Sequence, residues 1–181
     1  STEAELRIAA TAFEAQEGMM VTNARREILR VNQAFVRISG YNEEEVLGKT
    51  PSMFSSGWHD NSFYSEMNQQ LDIEGKWEGE VWNRRKNGEV FPQWLHVTAV
   101  RDEAQAVTHY VATITDITQR KAAEDQIRQL AFYDPLTGLP NRRMLMDRLQ
   151  HALAASARSN NCGALLFIDL DHFKTLNDTL G

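Results

Sequence analysis

The strongest constraint on the fold of this chain is a series of three strand-like segments joined by two short turns. The segments cover residues 77–84, 90–101 and 107–115, and the turns between them contain the sequences "RKNGE" and "DEAQA". The Asn-Gly pair in the first turn is a typical hairpin signal. Connections of this length join antiparallel neighbours, because parallel strands need a long crossover. The sequence therefore predicts an antiparallel meander.

Alternation in the longest segment predicts a sheet with one covered face. In "FPQWLHVTAV" the apolar positions are Phe91, then Trp94 or Leu95, then Val97 and Ala99. A strand that packs on a core with one side and meets solvent with the other shows this pattern. The sequence leaves open which of Trp94 and Leu95 points inward.

The segments upstream add two strands and several helices. Asn32 is suited to cap a helix and Gly40 to end it. Phe63, Met67 and Leu71 recur at four-residue steps, as on one face of an amphipathic helix. The predicted elements are a helix at 3–16, a hairpin of strands 19–23 and 28–32, a helix at 33–39, a one-turn helix within 42–48 and a helix from 61 or 62 to about 75. With the later strands they predict an α+β fold, a five-stranded antiparallel sheet with flanking helices.

After residue 118 the pattern changes from strands to helices. Ala123, Ile127 and Leu130 are spaced by four and then three residues, which is typical of a short coiled-coil seam. This helix has no core of its own to join and is predicted to be a connector. A turn with the sequence "YDPLTGLPNRR", a helix at 144–158 and the apolar run "ALLFIDLD" follow. Such a run is typical of a central strand that is buried on both faces.

Composition restricts the partners and the compartment. The 181 residues include 25 acidic and 19 basic side chains, and the net charge of −6 argues against nucleic acid or an anionic membrane as the main partner. The single cysteine, Cys162, allows no disulfide framework, so we expect a reducing, cytoplasmic compartment. No apolar run reaches the ~20 residues of a membrane helix. A membrane anchor elsewhere in a longer protein stays open.

Residues from about 11 to 118 resemble a PAS sensor domain. The matching segments include "NQAFVRISGY", "EEEVLGKTP", "SGWHDNSFYSEM", "GKWEGEVWNRRKNGEVFPQWLHVTAVRD" and "HYVATITDIT", in the order found in that family. Asp116, Ile117 and Thr118 resemble the family's exit signature, where the last strand leads into a signalling helix. With the helices predicted from residue spacing, the resemblance gives domain boundaries of 1–17 for an N-terminal amphipathic helix, 18–118 for a PAS domain and 119–133 for a coiled-coil-like linker helix.

Residues from about 130 onward resemble the beginning of a GGDEF domain, the fold of diguanylate cyclases, which convert two GTP molecules into cyclic di-GMP. The segments "LAFYDPLTGLPNRR" and "FIDLDHFKTLND" carry this resemblance. It implies a truncated α/β GGDEF domain at 134–181, with phosphate held at a helix N-terminus. The residues that the resemblance assigns are Asp169 and the carbonyl of Leu170 for Mg²⁺, the backbone of His172, Phe173 and Lys174 for phosphate, and Asn177 for the guanine edge.

Catalysis by such a domain requires residues that this sequence does not contain. By the resemblance, the Gly-Gly-Asp/Glu-Glu-Phe turn with its second metal carboxylate lies beyond Gly181, as do the basic residues that hold the triphosphate. One carboxylate and half of a phosphate site cannot supply the preorganised charge that phosphoryl transfer needs. We therefore expect no cyclase activity in this chain alone, and a diguanylate cyclase using Mg²⁺ and GTP in a longer protein. By the same resemblance, most of the sheet that would bury "ALLFI" is missing here, so this segment is expected to be poorly ordered or shielded by a second copy.

The family resemblance leaves several ligands open for the PAS cavity. A light-sensing flavin domain needs a cysteine in its pocket, and Cys162 lies outside the sensor. Haem needs an axial histidine, but His59 in the loop "SGWHDNS" is better explained as a loop or capping residue, so haem is disfavoured. A redox-sensing flavin is a further reading, with Asn83 bonded to the ring edge and walls formed by Trp77, Trp82 or Trp94. A cavity that is empty or transiently filled is the default.

These patterns lead to the hypothesis of a regulatory module. A dimeric PAS sensor would change the rotation or register of two connector helices through Ile127 and Leu130, and so change how two cyclase domains face each other. One alternative is a truncated cyclase, or a cyclase fused to a phosphodiesterase, whose PAS domain binds flavin as a redox sensor. Another alternative is a degenerate cyclase domain that only binds nucleotide. A second copy of the chain is the expected partner.

Overall fold

The computed structural model describes residues 17–159, 162–169 and 171–180. The chain divides into two compact units, Ser1–Ala123 and Glu124–Gly181. The helix predicted at 3–16 and the proposed metal-binding carbonyl of Leu170 lie outside the described residues.

Five strands form one antiparallel sheet in the first unit. They are β1 (Gly18–Asn23), β2 (Ile28–Val31), β3 (Lys76–Arg84), β4 (Val90–Arg101) and β5 (Val107–Asp116). Their order is β2-β1-β5-β4-β3, and each neighbouring pair is antiparallel. The meander predicted from the short turns is β3–β4–β5, and the β1–β2 hairpin joins it along β5. The predicted α+β class with a five-stranded antiparallel sheet is confirmed.

The connection from β2 to β3 carries three helices and a 3₁₀ turn. They are α1 (Gln33–Ser39), α2 (Glu43–Val46), the 3₁₀ turn Pro51–Phe54 and α3 (Asn61–Glu74). α1 is followed by Gly40 in the left-handed conformation, with φ of 77°, as the glycine predicted. Leu71 of α3 is buried and Met67 packs against the core, so the face predicted from the four-residue spacing is the one that packs.

The core lies between the inner face of the sheet and these helices. Its buried residues are Met20, Ile28, Val31, Phe35, Val46, Phe54, Leu71, Val97, Tyr110, Ala112 and Ile114. Leu95 packs against this core, whereas Trp94 lies on the outer face with 40% of its surface exposed. The alternative that the sequence left open in β4 is therefore decided for Leu95.

Asn32 joins the first strand to the first helix. Its Oδ1 accepts hydrogen bonds from the backbone N–H of Met19 and of Phe35, both at 2.8 Å, and its Nδ2 donates to the carbonyl of Glu17 at 2.9 Å. The side chain is 1% exposed. The predicted N-cap of α1 is confirmed, and it also fixes the start of β1.

We expect Asn32→Ala to lower the free energy of unfolding by about 3 kcal/mol, because it leaves buried backbone groups without partners as well as removing a cap. Urea denaturation followed by circular dichroism measures this. Gln69→Ala, on the exposed side of α3, should change stability by less than about 0.5 kcal/mol. Equal effects of the two substitutions would contradict the assigned role of Asn32.

The last part of the chain is helical. It comprises α4 (Thr118–Phe132), α5 (Arg142–Ser159) and α6 (Phe173–Leu180). α4 agrees with the helix predicted at 119–133 and α5 with the helix predicted at 144–158. Within the described residues, no helix has the length and hydropathy of a membrane span.

The strand predicted from "ALLFIDLD" is not formed, which corrects that prediction. Residues 162–169 have no regular secondary structure, and Leu166, Phe167 and Ile168 are 81%, 84% and 80% exposed. A central strand needs neighbours on both edges and helices on both faces to pair its backbone and bury its side chains. No strand among the described residues pairs with this segment, so its intrinsic preference is not realised.

Candidate functional site

A cavity of about 590 Å³ lies in the first unit, between the inner face of the sheet and helix α3. Its size falls within the range of ~300–1,000 Å³ that is typical of small-molecule sites. The apolar part of its lining includes Met20, Leu71, Val81, Leu95 and Val97. The polar part includes the amides of Asn61, Asn68 and Asn83 together with His59 and the hydroxyl groups of Thr50, Ser52, Ser55 and Tyr64. A ligand with an apolar body and several polar groups on one side would match this lining.

Only two of the five residues predicted for the pocket line the cavity. They are His59 and Asn83. Trp82 and Trp94 alternate with the inward residues Val81, Asn83 and Leu95, so the pleat of the sheet places them on the outer face. Trp77 belongs to the inner face, but its ring packs edge-on against Phe63 at 5.9 Å between centroids. The tryptophans therefore do not form the cavity wall that the sequence suggested.

The sequence reasoning missed Gln93, whose side chain is 3% exposed. Gln93 borders a second, small void of about 50 Å³ that shares Met20, Asn83 and Leu95 with the main cavity. Among the described residues, no fully buried side-chain nitrogen or oxygen lacks a hydrogen-bond partner. The position of Gln93 between the inward residues Phe91 and Leu95 would have indicated a polar group facing the core. Asn83 and Gln93 are diagonal neighbours on paired strands, because Gln93 is opposite Val81.

His59 is held by the sheet rather than free to bind a ligand. Its Nε2 accepts the backbone N–H of Trp82 at 3.1 Å, and its ring stacks on Phe63 with centroids 3.9 Å apart. An accepting Nε2 requires the neutral ring with its proton on Nδ1. Haem ligation through Nε2 would break this contact.

Trp82 connects the loop beside the cavity to helix α4. Its ring stacks on Trp58 at 4.7 Å, and its carbonyl accepts a hydrogen bond from Ser56 Oγ at 2.5 Å. On the other side, its Nε1 donates to Glu80 at 2.8 Å, and Lys121 of α4 lies 5.5 Å from the ring centroid. Lys121 also forms an ion pair with Glu80 at 2.8 Å. Burial alone would raise the pKa of Glu80, but the hydrogen bonds from Lys121 and Trp82 outweigh it and lower the pKa.

A second connection lies at the predicted exit signature. Asp116 accepts hydrogen bonds from the backbone and hydroxyl of Thr118 at 2.9 and 2.6 Å, and forms an ion pair with Arg85 at 2.5 Å. Arg85 also donates to the carbonyl of Ile38 and lies over the ring of Phe91 at 3.7 Å. Burial would raise the pKa of Asp116, but the hydrogen bonds from Thr118 and Arg85 and the charge of Arg85 lower it overall.

Ile117 lies between these two polar neighbours and is 3% exposed. Its backbone N–H donates to the carbonyl of Pro92 at 3.2 Å, and its own carbonyl accepts from Lys121. The end of β5 and the first turn of α4 are therefore held by β4 and by the β3–β4 turn. By contrast, Ile127 and Leu130 further along α4 are 67% and 65% exposed.

In the second unit, the segment that begins with "YDPLTGLPNRR" forms a compact turn. The Asp134 carboxylate accepts from the backbone N–H groups of Leu136 and Thr137 at 3.1 and 2.9 Å and from the Thr137 hydroxyl at 2.9 Å. The hydrogen bond from the Thr137 backbone is the largest of the contributions that lower the pKa of Asp134. Asn141 caps α5 by accepting from the N–H of Met144 at 3.1 Å.

The residues assigned to Mg²⁺ and GTP lie near the start of α6. Asp169 is exposed at the end of the irregular segment, and His172 precedes the helix with a left-handed φ of 60°. Phe173, Lys174 and Asn177 are on α6 and exposed. Among the described residues, no three or more His, Cys, Asp or Glu side chains form a group that could hold a metal.

Comparison with known families assigns both parts of the chain. The family model for the PAS domain matches residues 16–119, more than half of the sequence. The chain belongs to the PAS domain family. Residues 131–181 match the model described as the diguanylate cyclase, GGDEF domain, so a GGDEF domain segment follows the PAS domain, as the sequence resemblance predicted.

Relatives and a solved structure support this assignment. The chain is 26% identical over 169 residues to the cyclic di-GMP phosphodiesterase PdeR of Escherichia coli, covering 93% of this chain and 25% of PdeR. It is 35% identical to an uncharacterized signaling protein of Caulobacter vibrioides, covering 97% of this chain and 21% of that protein. The structure of an RNA-binding Light-Oxygen-Voltage receptor matches with a TM-score of 0.64 and 27% identity over 72% of this chain and 38% of the receptor. The chain thus spans about a quarter or less of the two full-length relatives.

Proposed function

We propose that this chain is a sensor module in which occupancy of the PAS cavity controls a GGDEF domain through helix α4. In a longer protein, the GGDEF domain would synthesise cyclic di-GMP from two GTP molecules with Mg²⁺. The proposed boundaries are 1–17 for an N-terminal helix, 18–118 for the PAS domain, 119–133 for the linker and 134–181 for the GGDEF segment. A cytoplasmic location fits the single cysteine and the nucleotide substrate.

The observation that carries this proposal is the contact chain from the cavity to α4 through Trp82. Gly57 and His59 line the cavity, and the same loop bonds both backbone groups of Trp82 and stacks on its ring. Lys121 of α4 contacts that ring and its neighbour Glu80. A ligand that moves the loop would therefore move the first turns of α4. The mechanism requires this contact to have a second arrangement that is favoured when the cavity is occupied.

The exit signature provides the fixed point of the movement. Asp116, Ile117 and Thr118 anchor α4 to the sheet, whereas Ile127 and Leu130 leave an exposed apolar seam. Such a seam is buried when two helices form a coiled coil. We propose that two copies pair along it and that rotation or register of the pair sets the relative position of two GGDEF domains.

In the GGDEF segment, the proposed roles follow the sequence resemblance. Asp169 and the carbonyl of Leu170 would bind Mg²⁺, which would neutralise phosphate charge and align the attacking 3′-hydroxyl. The backbone of residues 172–174 would contact phosphate, and Asn177 would contact the guanine edge. The left-handed His172 before α6 and the exposed start of that helix are compatible with phosphate binding.

The sensor function is tested with Lys121→Met in the protein that carries this chain. The substitution removes the ion pair with Glu80 and the cation–π contact with Trp82 while keeping a long apolar side chain. We expect the rate of cyclic di-GMP synthesis to change about fivefold, corresponding to a coupling of ~1 kcal/mol, without a change in KM for GTP. Gln119→Met, at an exposed neighbouring position, serves as the control. An unchanged rate in the Lys121 variant would argue against this route.

A second candidate, a flavin-binding redox sensor, is favoured by one specific observation. Gln93 and Asn83 both line the small void that shares residues with the cavity, and Gln93 is buried. Two amides offer alternating donors and acceptors, which match the carbonyl and N–H groups of a flavin ring edge. A hydrogen bond from a ligand to either amide would contribute ~1 kcal/mol to binding.

The flavin candidate predicts opposite effects of Gln93→Leu on binding and on stability. We expect flavin affinity to fall about tenfold or more, because a hydrogen bond to the ring edge is lost. The unliganded protein should become no less stable, because a buried polar group is replaced by an apolar one. Absorption spectra of the purified protein and of a denatured extract, with flavin titrations of both forms, measure the two effects. Unchanged affinity in the variant would exclude Gln93 from the site.

A further inference from the structure

The lining of the PAS cavity carries an unbalanced charge. Among its described residues, the two that are charged at neutral pH are Arg25 and Arg26, and neither aspartate nor glutamate is present. Both arginines lie in the turn between β1 and β2, where Arg25 is the more exposed of the two. The rest of the lining consists of apolar residues such as Leu95 and Val97 together with neutral amide and hydroxyl groups. The cavity therefore combines two guanidinium groups with a lining that is otherwise neutral.

The backbone at Arg26 is unfavourable for an arginine. Its φ is +63°, in the left-handed region that glycine adopts at little cost and that other residues rarely adopt. The turn is closed by hydrogen bonds from Arg26 N–H to the Asn23 carbonyl at 2.9 Å and from Asn23 N–H to the Glu27 carbonyl at 3.0 Å. Glycine would satisfy this turn equally well. Backbone strain that the turn does not need is typical of a residue retained for its side chain.

Neighbouring groups orient the guanidinium of Arg26 without using all of its donors. Arg26 lies over the ring of Tyr110, a cavity residue, at 5.4 Å and contacts Asp72 at 3.3 Å. Arg25 contacts Glu27 at 3.2 Å and has a side chain that is 80% exposed. Each guanidinium has five N–H donors, so these single contacts leave several donors available. Asp72 and Glu27 reduce the local positive charge, but neither belongs to the cavity lining.

We propose that the ligand of this cavity is an amphipathic anion. Its phosphate or carboxylate would bind between Arg25 and Arg26, and its aromatic or aliphatic body would pack against Met20, Leu71 and Val97. Planar guanidinium groups suit both of these anions. This inference rests on the proposed sensor function and specifies its ligand class. The charged group would also link occupancy to the β1–β2 hairpin.

Paired probes on the full chain test the charge requirement by calorimetric titration. The first pair is FMN and riboflavin, which share a ring system and differ in the phosphate. The second pair is decanoate and decanol, which share an alkyl chain and differ in the carboxylate. Inorganic phosphate serves as the anion without an apolar body. We expect the anionic member of one pair to bind about tenfold or more tightly than its neutral partner, since charge-assisted hydrogen bonds are involved. Raising the salt concentration from about 0.05 to 0.5 M should reduce this advantage. The pair that responds identifies the source of the anion.

Arg26→Gly separates a ligand role from a structural one. We expect it to weaken binding of the anionic probe about tenfold, with no change for the neutral probe. The melting temperature should not fall, because glycine suits the left-handed backbone. Arg25→Gln should weaken the same probe, and Arg37→Gln, an exposed arginine on α1 with the same charge change, should have no effect.

Three results would overturn the proposal: equal binding of the charged and neutral members of both pairs, wild-type binding of the anionic probe by Arg26→Gly, or no binding by either anionic probe. Each leaves the proposed control of the GGDEF domain intact, because that control is measured separately as cyclic di-GMP synthesis in the Lys121 variant. If the Lys121 variant synthesises cyclic di-GMP at the wild-type rate while the anionic probe still binds, the proposed control of the GGDEF domain is rejected and the proposed ligand class is retained.

Discussion

Ile127→Asp is expected to abolish pairing of the connector helices. Ile127 is 67% exposed on α4, and with Leu130 it forms an apolar seam. Placing a carboxylate at this position in both copies would bury two like charges or prevent contact of the seam. We expect the dissociation constant of the dimer to rise about 100-fold or more, corresponding to ~3 kcal/mol. Sedimentation velocity over a concentration series measures this on the chain itself.

The same helix offers a matched control for this experiment. Gln129→Asp adds the same charge two residues further along α4, on a face away from Ile127, and should leave the dissociation constant within about twofold. The melting temperature should be similar in both variants, because neither residue is buried in the PAS core. A dimer that persists in Ile127→Asp, or a chain that is monomeric before substitution, would refute pairing through this seam.

Asp116→Ala is expected to destabilise the PAS domain and release the first turn of α4. It removes three hydrogen-bonding contacts with Thr118 and Arg85 and leaves the Arg85 side chain, which is 15% exposed, without its closest carboxylate. Loss of charged hydrogen bonds of this kind costs about 2 kcal/mol. For a domain of this size we expect the melting temperature to fall by about 10 °C. Calorimetry measures the melting temperature, and amide hydrogen exchange should show faster exchange in the first turns of α4.

The pH dependence of stability gives an independent test of the Asp116 contacts. The pKa of Asp116 is lowered in the folded protein, so its stabilising effect is complete above the ordinary aspartate pKa of ~3.9 and is lost as pH falls through the lowered folded value. The difference in stability between wild type and Asp116→Asn should therefore be largest near neutral pH and shrink below about pH 4. Asp102→Asn, in the exposed β4–β5 turn, should retain the stability of wild type at neutral pH. A constant difference across the acid range would contradict the assigned ion pair.

Most of the secondary structure could be predicted from the sequence because its determinants are local. Each of these determinants acts within a few residues: the turns after β3 and β4, the Asn32 cap, the glycine at position 40 that ends α1, and the four-residue spacing in α3. The order of these elements, together with the quoted segments, was also sufficient to indicate a PAS domain followed by a GGDEF segment. The sequence located the exit signature as well, because its three residues are adjacent.

The composition of the candidate site required the tertiary structure. Alternation in β4 places Phe91, Val97 and Ala99 on the covered face and so indicates Gln93 as well, but it does not show which side chains reach the cavity, and the tryptophans do not. The partner of His59 Nε2 is the backbone of Trp82, 23 residues away, and local patterns do not encode such a contact. The charge of the cavity lining likewise depends on the turn that brings Arg25 and Arg26 to it.

The last strand illustrates the same distinction. The run "ALLFIDLD" has the composition of a buried strand, yet residues 162–169 are irregular and exposed. A strand is stabilised by hydrogen bonds and side-chain contacts with neighbours that are distant in sequence. The sequence by itself therefore determined where helices, turns and strand-forming segments lie, whereas only the tertiary structure decided which side chains share the cavity and which strand-forming segment is paired, because these depend on register and on long-range neighbours.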